Sequence, residues 1–217
     1  MSSILGSAVK EGHLDTNPCT NADKIKGVVG RQRFLDGDEI RRILAAAEGV
    51  ADWLSDFLLW SLHSGMRKGE TLAMQWSDVG TIGDNRKLIL IPTSKSDQPR
   101  MVPCNARMAE ILERQRDRKV DQNESVLPIP KMTLRGKWER TRKDASLEDV
   151  TLHDLRRIHS THAAAAGVDL RTLAALIGHN DLSMLQKRYA VVVGSTAMNA
   201  ADTIQATFDN MIGPKAK

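Results

Sequence analysis

Apolar residues recur at three- and four-residue spacing along most of the chain, which predicts a largely helical protein. The clearest helix start lies at Asp36, which can cap a helix and is followed by Glu39 three positions on. Ile40, Ile43 and Leu44 then recur at helical spacing. Three helices are therefore expected early in the main part of the chain: one opening at Asp36, one from Trp53 to Gly65, and one from Lys68 to Met74.

A short strand pattern interrupts the helices. Residues 87–91 and 100–103 predict two antiparallel strands, with 92–99 as their hairpin loop. Gly167 and Gly178 are well placed to end helices further along. The helices expected after the strands are 105–119, 131–143, 152–166, 169–177, 182–190 and 195–211. The predicted fold class is mainly α with a small antiparallel β-sheet (α+β).

The chain divides unevenly. Residues 1–30 hold one short amphipathic helix, with Ile4, Leu5, Ala8 and Val9 on its apolar face, followed by a polar linker. An isolated helix of this length is marginal in water, so it is expected to belong with a partner or with another domain. Residues 31–217 form the main domain, which includes a helix at 195–211.

Composition narrows the class of protein only a little. The 217 residues are 41% hydrophobic and 27% charged, as in an ordinary globular protein. Lys and Arg number 31 against 27 Asp and Glu, a net charge of +4 that permits nucleic-acid binding without establishing it. Cys19 and Cys104 are expected to be free thiols in the reducing cytoplasm. No apolar run is long enough to cross a membrane, and the first residues lack a secretory-signal pattern.

Three segments carry residues suited to phosphate chemistry. The first is Ser-Gly-Met-Arg-Lys-Gly-Glu at 64–70, in which Gly65 allows a sharp turn and Arg67 opens the next helix. The planar guanidinium of Arg67 could hold two phosphate oxygens. The alternative is an ordinary helix connection with a solvated arginine.

The second segment, 151–157, places His153 and Arg156 one turn apart at a capped helix start. The positive end of a helix favours a bound anion. Both residues are expected at the edge of an apolar face that includes Leu155 and Ile158. A solvated first turn is the alternative, and a zinc site at His153, His159 and His162 is a poorer one because the spacing is wrong. His159, His162 and His63 are assigned no role.

The third segment contains His179 and, ten residues later, Tyr189, the only tyrosine in the chain. A phenol can act as a nucleophile when cations lie nearby. The alternative for Tyr189 is a packed or capping phenol.

Together these segments resemble the catalytic domain of tyrosine recombinases, a family that includes phage integrases and chromosome-dimer-resolving recombinases. The resemblance covers about residues 31–200, with its signatures in the family's order, and adds the Ala-Gly-Val-Asp-Leu-Arg-Thr-Leu and Lys-Arg-Tyr-Ala-Val-Val segments. The hairpin at 93–103 is similar to the one that carries the family's catalytic lysine. Lys95 is the matching residue, with Lys87 a distant second.

The resemblance implies a role for each residue. Tyr189 would attack a DNA phosphodiester and form a 3′-phosphotyrosine. Arg67, Arg156 and His179 would hold the non-bridging oxygens, Lys95 would protonate the leaving 5′-oxygen, and His153 would assist proton transfer at Tyr189. Glu70 would orient Arg67 or its neighbours. The family needs no metal and no cofactor.

Two features depart from the family pattern. Tyr189 follows His179 by ten residues, where nine is usual in the family. Family enzymes also carry an N-terminal core-binding domain that closes around DNA, and only its last helix is expected in residues 1–30. The sequence is therefore interpreted as a fragment or a truncated gene product.

Contacts to double-stranded DNA are expected along a basic run. This run has six cations in 13 residues, with Trp138 interleaved and Glu139 the single acid. Its cations are Lys131, Arg135, Lys137, Arg140, Arg142 and Lys143. A merely solvated helix face is the alternative, and the run from Arg114 to Lys119 is interpreted in that way. The helix at 195–211 is expected either to dock into a neighbouring subunit or to pack on its own domain.

The sequence thus predicts a site-specific recombinase or integrase that works as a homo-oligomer, a tetramer on DNA, in the cytoplasm at the nucleoid. A DNA-binding remnant without efficient catalysis is one alternative. A strand-relaxing enzyme like the type IB topoisomerases is another.

Overall fold

The structure is a computed structural model that describes residues 2–22, 33–83, 85–92, 99–118, 124–129 and 131–179, with side chains from residue 133 onward in the last range. Lys95, Tyr189 and the helices expected at 182–190 and 195–211 lie outside these residues. The chain divides into two compact units, before residue 33 and from Arg33 onward.

The first unit contains helix α1 (Ser2–Lys10), which buries none of its side chains. The chain leaves this helix through Gly12, whose φ of 76° lies in the left-handed region. The side-chain amide of Asn17 then donates to the carbonyl oxygen of Ser2 at 2.9 Å. This contact folds the following turn back onto the start of the helix.

The second unit is mostly helical with one small sheet, as the sequence pattern predicts. Its elements in chain order are α2 (Gly37–Val50), α3 (Asp52–Ser64), α4 (Lys68–Ala73), β1 (Val79–Ile82), β2 (Arg86–Ile91), β3 (Arg100–Pro103), α5 (Ala106–Asp117), α6 (Lys131–Asp144), α7 (Leu152–Ala165) and α8 (Leu170–Ile177). The mainly α fold class with a small antiparallel sheet is confirmed.

Helix α3 forms the centre of the core, packing against α2, α5 and α7. Its Leu54, Phe57 and Trp60 are 0–1% exposed. Removing each such side chain from water is worth about 1.5–3 kcal/mol, so this helix supplies much of the driving force for folding. The capping box predicted at the start of α2 is also present: the Glu39 amide donates to Asp36 Oδ1 at 2.8 Å, and the Asp36 amide donates to Glu39 Oε2 at 3.2 Å.

The sheet has three antiparallel strands in the order β1–β2–β3, one strand more than predicted. Ile89 in the central strand pairs with Val79 on one side and Val102 on the other. The missed strand β1 contains Gly80, which has low strand propensity. A Cβ at position 80 would lie 3.1 Å from a methyl of Leu88, so the close approach of that side chain explains the glycine.

Helix α6 differs from its predicted role at one position. Trp138 is only 5% exposed and belongs to the hydrophobic core, so it is not an aromatic group interleaved among DNA-contacting cations. Among the cations of the run whose side chains are described, Arg135, Arg140 and Lys143 are exposed, and Lys137 and Arg142 are partly buried.

Candidate active site

Two left-handed turns lead into the residues that the sequence predicts to be catalytic. Gly65 ends α3 with a φ of 62°, and Gly178 ends α8 with a φ of 67°. A Cβ at position 65 would lie 2.5 Å from the His159 ring, and one at position 178 would lie 2.9 Å from Nη1 of Arg100. Both the backbone conformation and the lack of space therefore require glycine.

Arg67 is the N-cap of α4, at the helix start predicted for it. Its backbone amide donates to Glu70 Oε2 at 2.7 Å, and its Nη1 donates to Glu70 Oε1 at 3.0 Å. Its Nη2 also donates to the carbonyl oxygen of Gly178 at 3.2 Å. The side chain remains 38% exposed, so solvent or a ligand can reach the guanidinium group.

Arg156 is buried, with 5% of the residue exposed. The expectation that it lies at the edge of an apolar helix face is therefore wrong. Its Nη1 donates to the carbonyl oxygen of Gly65 at 2.9 Å, and its Nη2 donates to that of Ile177 at 2.5 Å. Burial of a guanidinium group is costly unless its N–H groups have acceptors, and the two carbonyls supply them. Arg156 thus ties the turn before Arg67 to the turn before His179.

Arg100, on β3, was missed by the sequence analysis. Its side chain is 7% exposed, and it grips the Glu70 carboxylate with two nitrogens: Nη1 to Oε1 at 3.0 Å and Nη2 to Oε2 at 2.6 Å. Its Nε donates to the carbonyl oxygen of Leu176 at 3.0 Å. These partners lie 30 and 76 residues away in sequence, so no local pattern marks this arginine.

The carboxyl end of α8 brings the three arginines together. Its successive carbonyls at Leu176, Ile177 and Gly178 accept hydrogen bonds from Arg100, Arg156 and Arg67 respectively. These carbonyls lack partners within the helix and form the negative end of its dipole. Cations from three separate elements are therefore held side by side.

His153 lies in the first turn of α7, three residues before Arg156, and is exposed. The helix start is fixed by Asp154, whose Oδ2 accepts from the Thr151 amide at 2.9 Å and from the Thr151 hydroxyl at 2.7 Å. His153 and Arg156 thus project from one rigid turn, as the sequence predicts. Asp154 itself is buried and also binds Arg157, with Nη1 at 3.2 Å from Oδ1.

His179 follows the Gly178 turn directly and is half-buried. Its backbone amide donates to the carbonyl oxygen of Ala174 at 2.9 Å, which closes the end of α8. The structure therefore associates Arg67, Glu70 and Arg156 with the turn that carries His179. Lys95 and Tyr189, the predicted acid and nucleophile, lie outside the described residues.

Glu70 is the negative group at the centre of this arginine cluster. Burial alone would raise the pKa of Glu70, but hydrogen bonds from the Arg100 side chain and the Arg67 amide outweigh it, so the pKa is lowered. Glu70 is therefore a carboxylate at neutral pH and accepts from both arginines. Arg67 and Arg100 bind the carboxylate and Arg156 bonds to the neighbouring backbone, so three guanidinium groups and one carboxylate leave the cluster positively charged.

The remaining histidines contact backbone groups. His159 Nδ1 lies 2.8 Å from the carbonyl oxygen of Leu62, and His162 Nε2 lies 3.1 Å from that of Leu35. Burial lowers the pKa of both His159 and His63. Across the described ranges, no three metal-binding side chains come together. Burial also raises the pKa of the Cys104 thiol to about 11, which makes it a poor nucleophile.

The predicted DNA-contacting run on α6 separates into two groups. Lys137 donates to the carbonyl oxygen of Val50 at 3.3 Å, and Arg142 donates to that of Glu148 at 2.6 Å. These two residues stabilise the domain itself. Arg135 and Arg140 are 88% and 66% exposed, each in an ion pair one turn along the helix, and Lys143 is exposed too. The side chain of Lys131 is not among those described.

The arrangement suits recognition of a tetrahedral anion. A planar guanidinium group can donate two parallel hydrogen bonds to phosphate oxygens, and hydrogen bonds between charged groups are the strongest kind. Arg67 is exposed enough to make such contacts, while Arg156 and Arg100 are buried and donate to backbone carbonyls. The first turn of α7 adds an imidazole at its positive end.

Comparison with known proteins identifies the family of the chain. The model of the phage integrase family matches residues 33–193, which is most of the chain. The chain belongs to the phage integrase family.

Three relatives illustrate the range of the family. A tyrosine recombinase XerC-like protein of Caldanaerobacter subterraneus is 26% identical over 93% of this chain and 62% of its own. The tyrosine recombinase XerA of Thermococcus kodakarensis is 29% identical over 71% of this chain and 56% of its own. The integrase of Escherichia phage HK022 is 27% identical over 83% and 53%. The chain thus spans about half to two thirds of the length of these relatives.

Solved structures share the fold. A lambda integrase fragment, solved as a dimer bound to a core site, aligns with a TM-score of 0.63 at 23% identity, covering 84% of this chain and 70% of that one. The catalytic domain of bacteriophage HP1 integrase aligns with a TM-score of 0.62 at 21% identity, covering 79% and 95%. A lambda integrase tetramer bound to a Holliday junction aligns with a TM-score of 0.61 at 22% identity, covering 83% and 56%. Among the described helices, none is long and apolar enough to span a membrane.

Proposed function

We propose that this chain is the catalytic part of a site-specific DNA recombinase, which cuts and rejoins DNA strands through Tyr189. The observation that carries the proposal is the arginine cluster on the end of α8, where three successive carbonyls accept from Arg100, Arg156 and Arg67. A preorganised cluster of cations next to an exposed guanidinium group is what a reaction on a phosphodiester requires.

The chemistry assigns one step to each group. The Tyr189 oxygen attacks phosphorus, a new phosphorus–oxygen bond forms, and the bond to the 5′-oxygen of the next nucleotide breaks. His153 takes the phenol proton, and Lys95 gives a proton to the leaving 5′-oxygen. Arg67, Arg156 and His179 stabilise the charge on the non-bridging oxygens. The 5′-hydroxyl of another strand then reverses these steps and releases Tyr189.

The cation cluster addresses the main energetic obstacle. A phenol has a pKa of about 10, so only about one part in a thousand is ionised at pH 7, a deficit of roughly 4 kcal/mol. Positive groups around the phosphate and a base near the phenol offset this deficit. Because the phosphotyrosine linkage keeps the phosphodiester energy, rejoining needs no nucleotide cofactor and no redox group.

The partner of the proposed enzyme is double-stranded DNA, contacted by the site and by exposed cations of α6. We infer that the complete protein assembles as a tetramer on DNA. Lambda integrase, a neighbour in fold, was solved as a tetramer bound to a Holliday junction, which supports this assembly. We also propose that the protein is cytoplasmic and associated with the nucleoid, where a DNA substrate would be found.

Covalent capture on nicked DNA tests the function. The chain is incubated with a pool of nicked duplexes of randomised sequence, in which cleavage releases a short end and traps the enzyme on the strand. Denaturing gels and sequencing then report the adduct and its site. An adduct on one sequence motif that disappears in Tyr189→Phe supports the proposal.

Two other outcomes would overturn it. Duplex binding without any adduct would indicate a DNA-binding protein that lacks catalysis. Relaxation of supercoiled plasmid with adducts spread over unrelated sequences would indicate an enzyme that relaxes DNA without site choice.

A further inference from the structure

Arg100 is joined to both halves of the candidate site. Through Nη1 and Nη2 it holds the two oxygens of Glu70, and through Nε it holds the carbonyl oxygen of Leu176. Glu70 in turn accepts from the backbone amide and the guanidinium group of Arg67. The position of Arg67 therefore depends on a carboxylate that Arg100 fixes.

The same arginine supports the turn that carries His179. A Cβ at Gly178 would lie 2.9 Å from Nη1, 3.0 Å from Cζ and 3.1 Å from Cδ of Arg100, so the backbone of this turn rests directly on the arginine side chain. The Arg100 side chain therefore packs against the turn that leads directly into His179. Arg67 also contacts both Glu70 and Gly178, but its side chain is 38% exposed, whereas that of Arg100 is 7% exposed.

The ion pair between Arg100 and Glu70 lies in largely buried surroundings. The side chains of Arg100 and Glu70 are 7% and 13% exposed. Both also line a cavity whose other walls include Met66, Met74 and Ile89. Hydrogen bonds between charged groups are stronger in such apolar surroundings than in water, and each partner would be costly to leave alone there.

We propose that Arg100 is a positioning residue for strand cleavage, which sets Arg67 through Glu70 and His179 through the α8 end without touching the DNA phosphate. The proposal rests on the function proposed above. Because it acts on geometry, the loss of Arg100 is expected to slow the chemical step and leave DNA affinity nearly unchanged. A misplacement of catalytic groups by about 1 Å can lower a rate by about 100-fold.

The test is a double-mutant cycle on single-turnover cleavage of the captured substrate. Arg100→Gln is expected to slow cleavage by roughly 10- to 100-fold, with the DNA dissociation constant changed by less than about threefold. In the Glu70→Gln background, the same change is expected to cost less than in the wild type, because the path to Arg67 is already lost and only the path to His179 remains. Arg100→Lys keeps the charge but not the three-way geometry, and it is expected to fall between the wild type and Arg100→Gln.

Arg33→Gln is the matched control. Arg33 also binds a glutamate with two nitrogens, at 2.7 and 3.1 Å from Glu39, and reaches Asp149 with its third at 2.8 Å. Its ion-pair partners within the described ranges therefore include no residue that is predicted to be catalytic. It is expected to lower the thermal midpoint of unfolding with cleavage unchanged below that midpoint. Circular dichroism on every variant confirms that the folded protein is being compared.

The outcomes separate the two proposals. If the wild type forms no adduct, the proposed function fails. If the wild type cleaves and folded Arg100→Gln and Arg100→Lys cleave at the same rate, the positioning role is wrong. Additive effects of Glu70→Gln and Arg100→Gln on the cleavage rate would contradict a shared path to Arg67. Equal slowing of cleavage in Arg33→Gln would show that Arg100 contributes only to the stability of the domain.

Discussion

At position 178 the chain makes a left-handed turn directly over a buried arginine. The φ of 67° suits glycine, and the space where a Cβ would lie is occupied by the Arg100 guanidinium group. That group cannot move aside without loosening its grip on Glu70. One glycine thus connects the end of α8 to the geometry of the candidate site.

Gly178→Ala is therefore expected to lower the single-turnover cleavage rate by at least about tenfold, since an L-residue in the left-handed region costs about 1–2 kcal/mol and the added methyl displaces Arg100. Gly49→Ala is the control, because a Cβ at that helical position would meet no atom within 4 Å beyond its chain neighbours and the backbone of its own helix. The control is expected to cleave normally and to be slightly more stable. Normal cleavage in folded Gly178→Ala would show that the turn tolerates a side chain.

Glu70 predicts a dependence of stability on pH. Its pKa in the folded protein is lowered below the ordinary 4.5, so its stabilising effect is complete above that value and is lost as the pH falls through the folded pKa. The difference in unfolding free energy between wild type and Glu70→Gln is expected to stay constant from neutral pH down to about 5.5 and to shrink below about 4.5. Urea unfolding across this range measures it.

Glu110→Gln supplies the comparison for Glu70. Glu110 is 48% exposed and pairs with Arg107 at 2.9 Å on the surface of α5. An exposed ion pair of this kind contributes only about 0–1 kcal/mol, so its variant is expected to differ little from wild type at any pH. An equal pH dependence in the two variants would contradict the special environment of Glu70.

The sequence patterns identified residues of the candidate site better than they predicted whether each residue is buried or exposed. Arg67 and Arg156 were selected from short motifs, and both bond to the end of α8, but Arg156 is buried where a helix edge was expected. Arg100 gave no signal because its partners come from distant segments. Trp138 was grouped with the basic residues beside it in the sequence, whereas its side chain packs in the hydrophobic core. Which side of a helix faces inward depends on packing, and at these positions the neighbours in sequence gave the wrong answer.

At the scale of elements, the cations of helix α6 fall into groups with different partners. Lys137 and Arg142 donate to backbone carbonyls and help to hold the domain together. Arg135 and Arg140 extend into solvent in pairs with Glu139 and Asp144. Only the second pair is expected to contribute to DNA affinity.

The double variant Arg135→Gln/Arg140→Gln is expected to weaken DNA binding and to reduce the slope of log affinity against log salt by about 0.9 for each phosphate that is no longer neutralised. Arg41→Gln/Arg107→Gln is the matched control, since these arginines are 74% and 68% exposed and also pair with acidic residues one turn away. Fluorescence anisotropy at several salt concentrations gives the slopes. An equal reduction in both variants would indicate a general charge effect instead of a contact through α6.

The small sheet contains one strand, β1, that the sequence pattern did not predict. Strands β2 and β3 alternate clearly enough to be predicted, but β1 has only four residues and includes Gly80. It exists because Val79 to Ile82 pair with β2, a contact that a local propensity does not register. Strand β3 of this sheet carries Arg100, which contacts Glu70 in α4 and Leu176 in α8. The position of Arg100 therefore depends on the sheet, which the sequence predicted only in part.

At the scale of the whole molecule, folding brings together segments that lie 91 and 111 residues apart in the sequence. Arg67 reaches Gly178 across 111 positions, and Arg156 reaches Gly65 across 91. The sequence predicted the fold class and the family correctly because the motifs keep their order along the chain. The sequence did not indicate that carbonyls at the end of α8 would bind the three arginines. That arrangement depends on how α4, α7 and β3 pack against α8.

The most direct measurement of the central claim is the identity of the amino acid joined to DNA. The captured adduct is digested with protease and nuclease, and the linked peptide is sequenced by mass spectrometry. We expect a nucleotide joined through its 3′-phosphate to Tyr189, with no adduct in Tyr189→Phe under conditions where both proteins bind the duplex. Attachment at any other residue, or an adduct that survives in Tyr189→Phe, would contradict it.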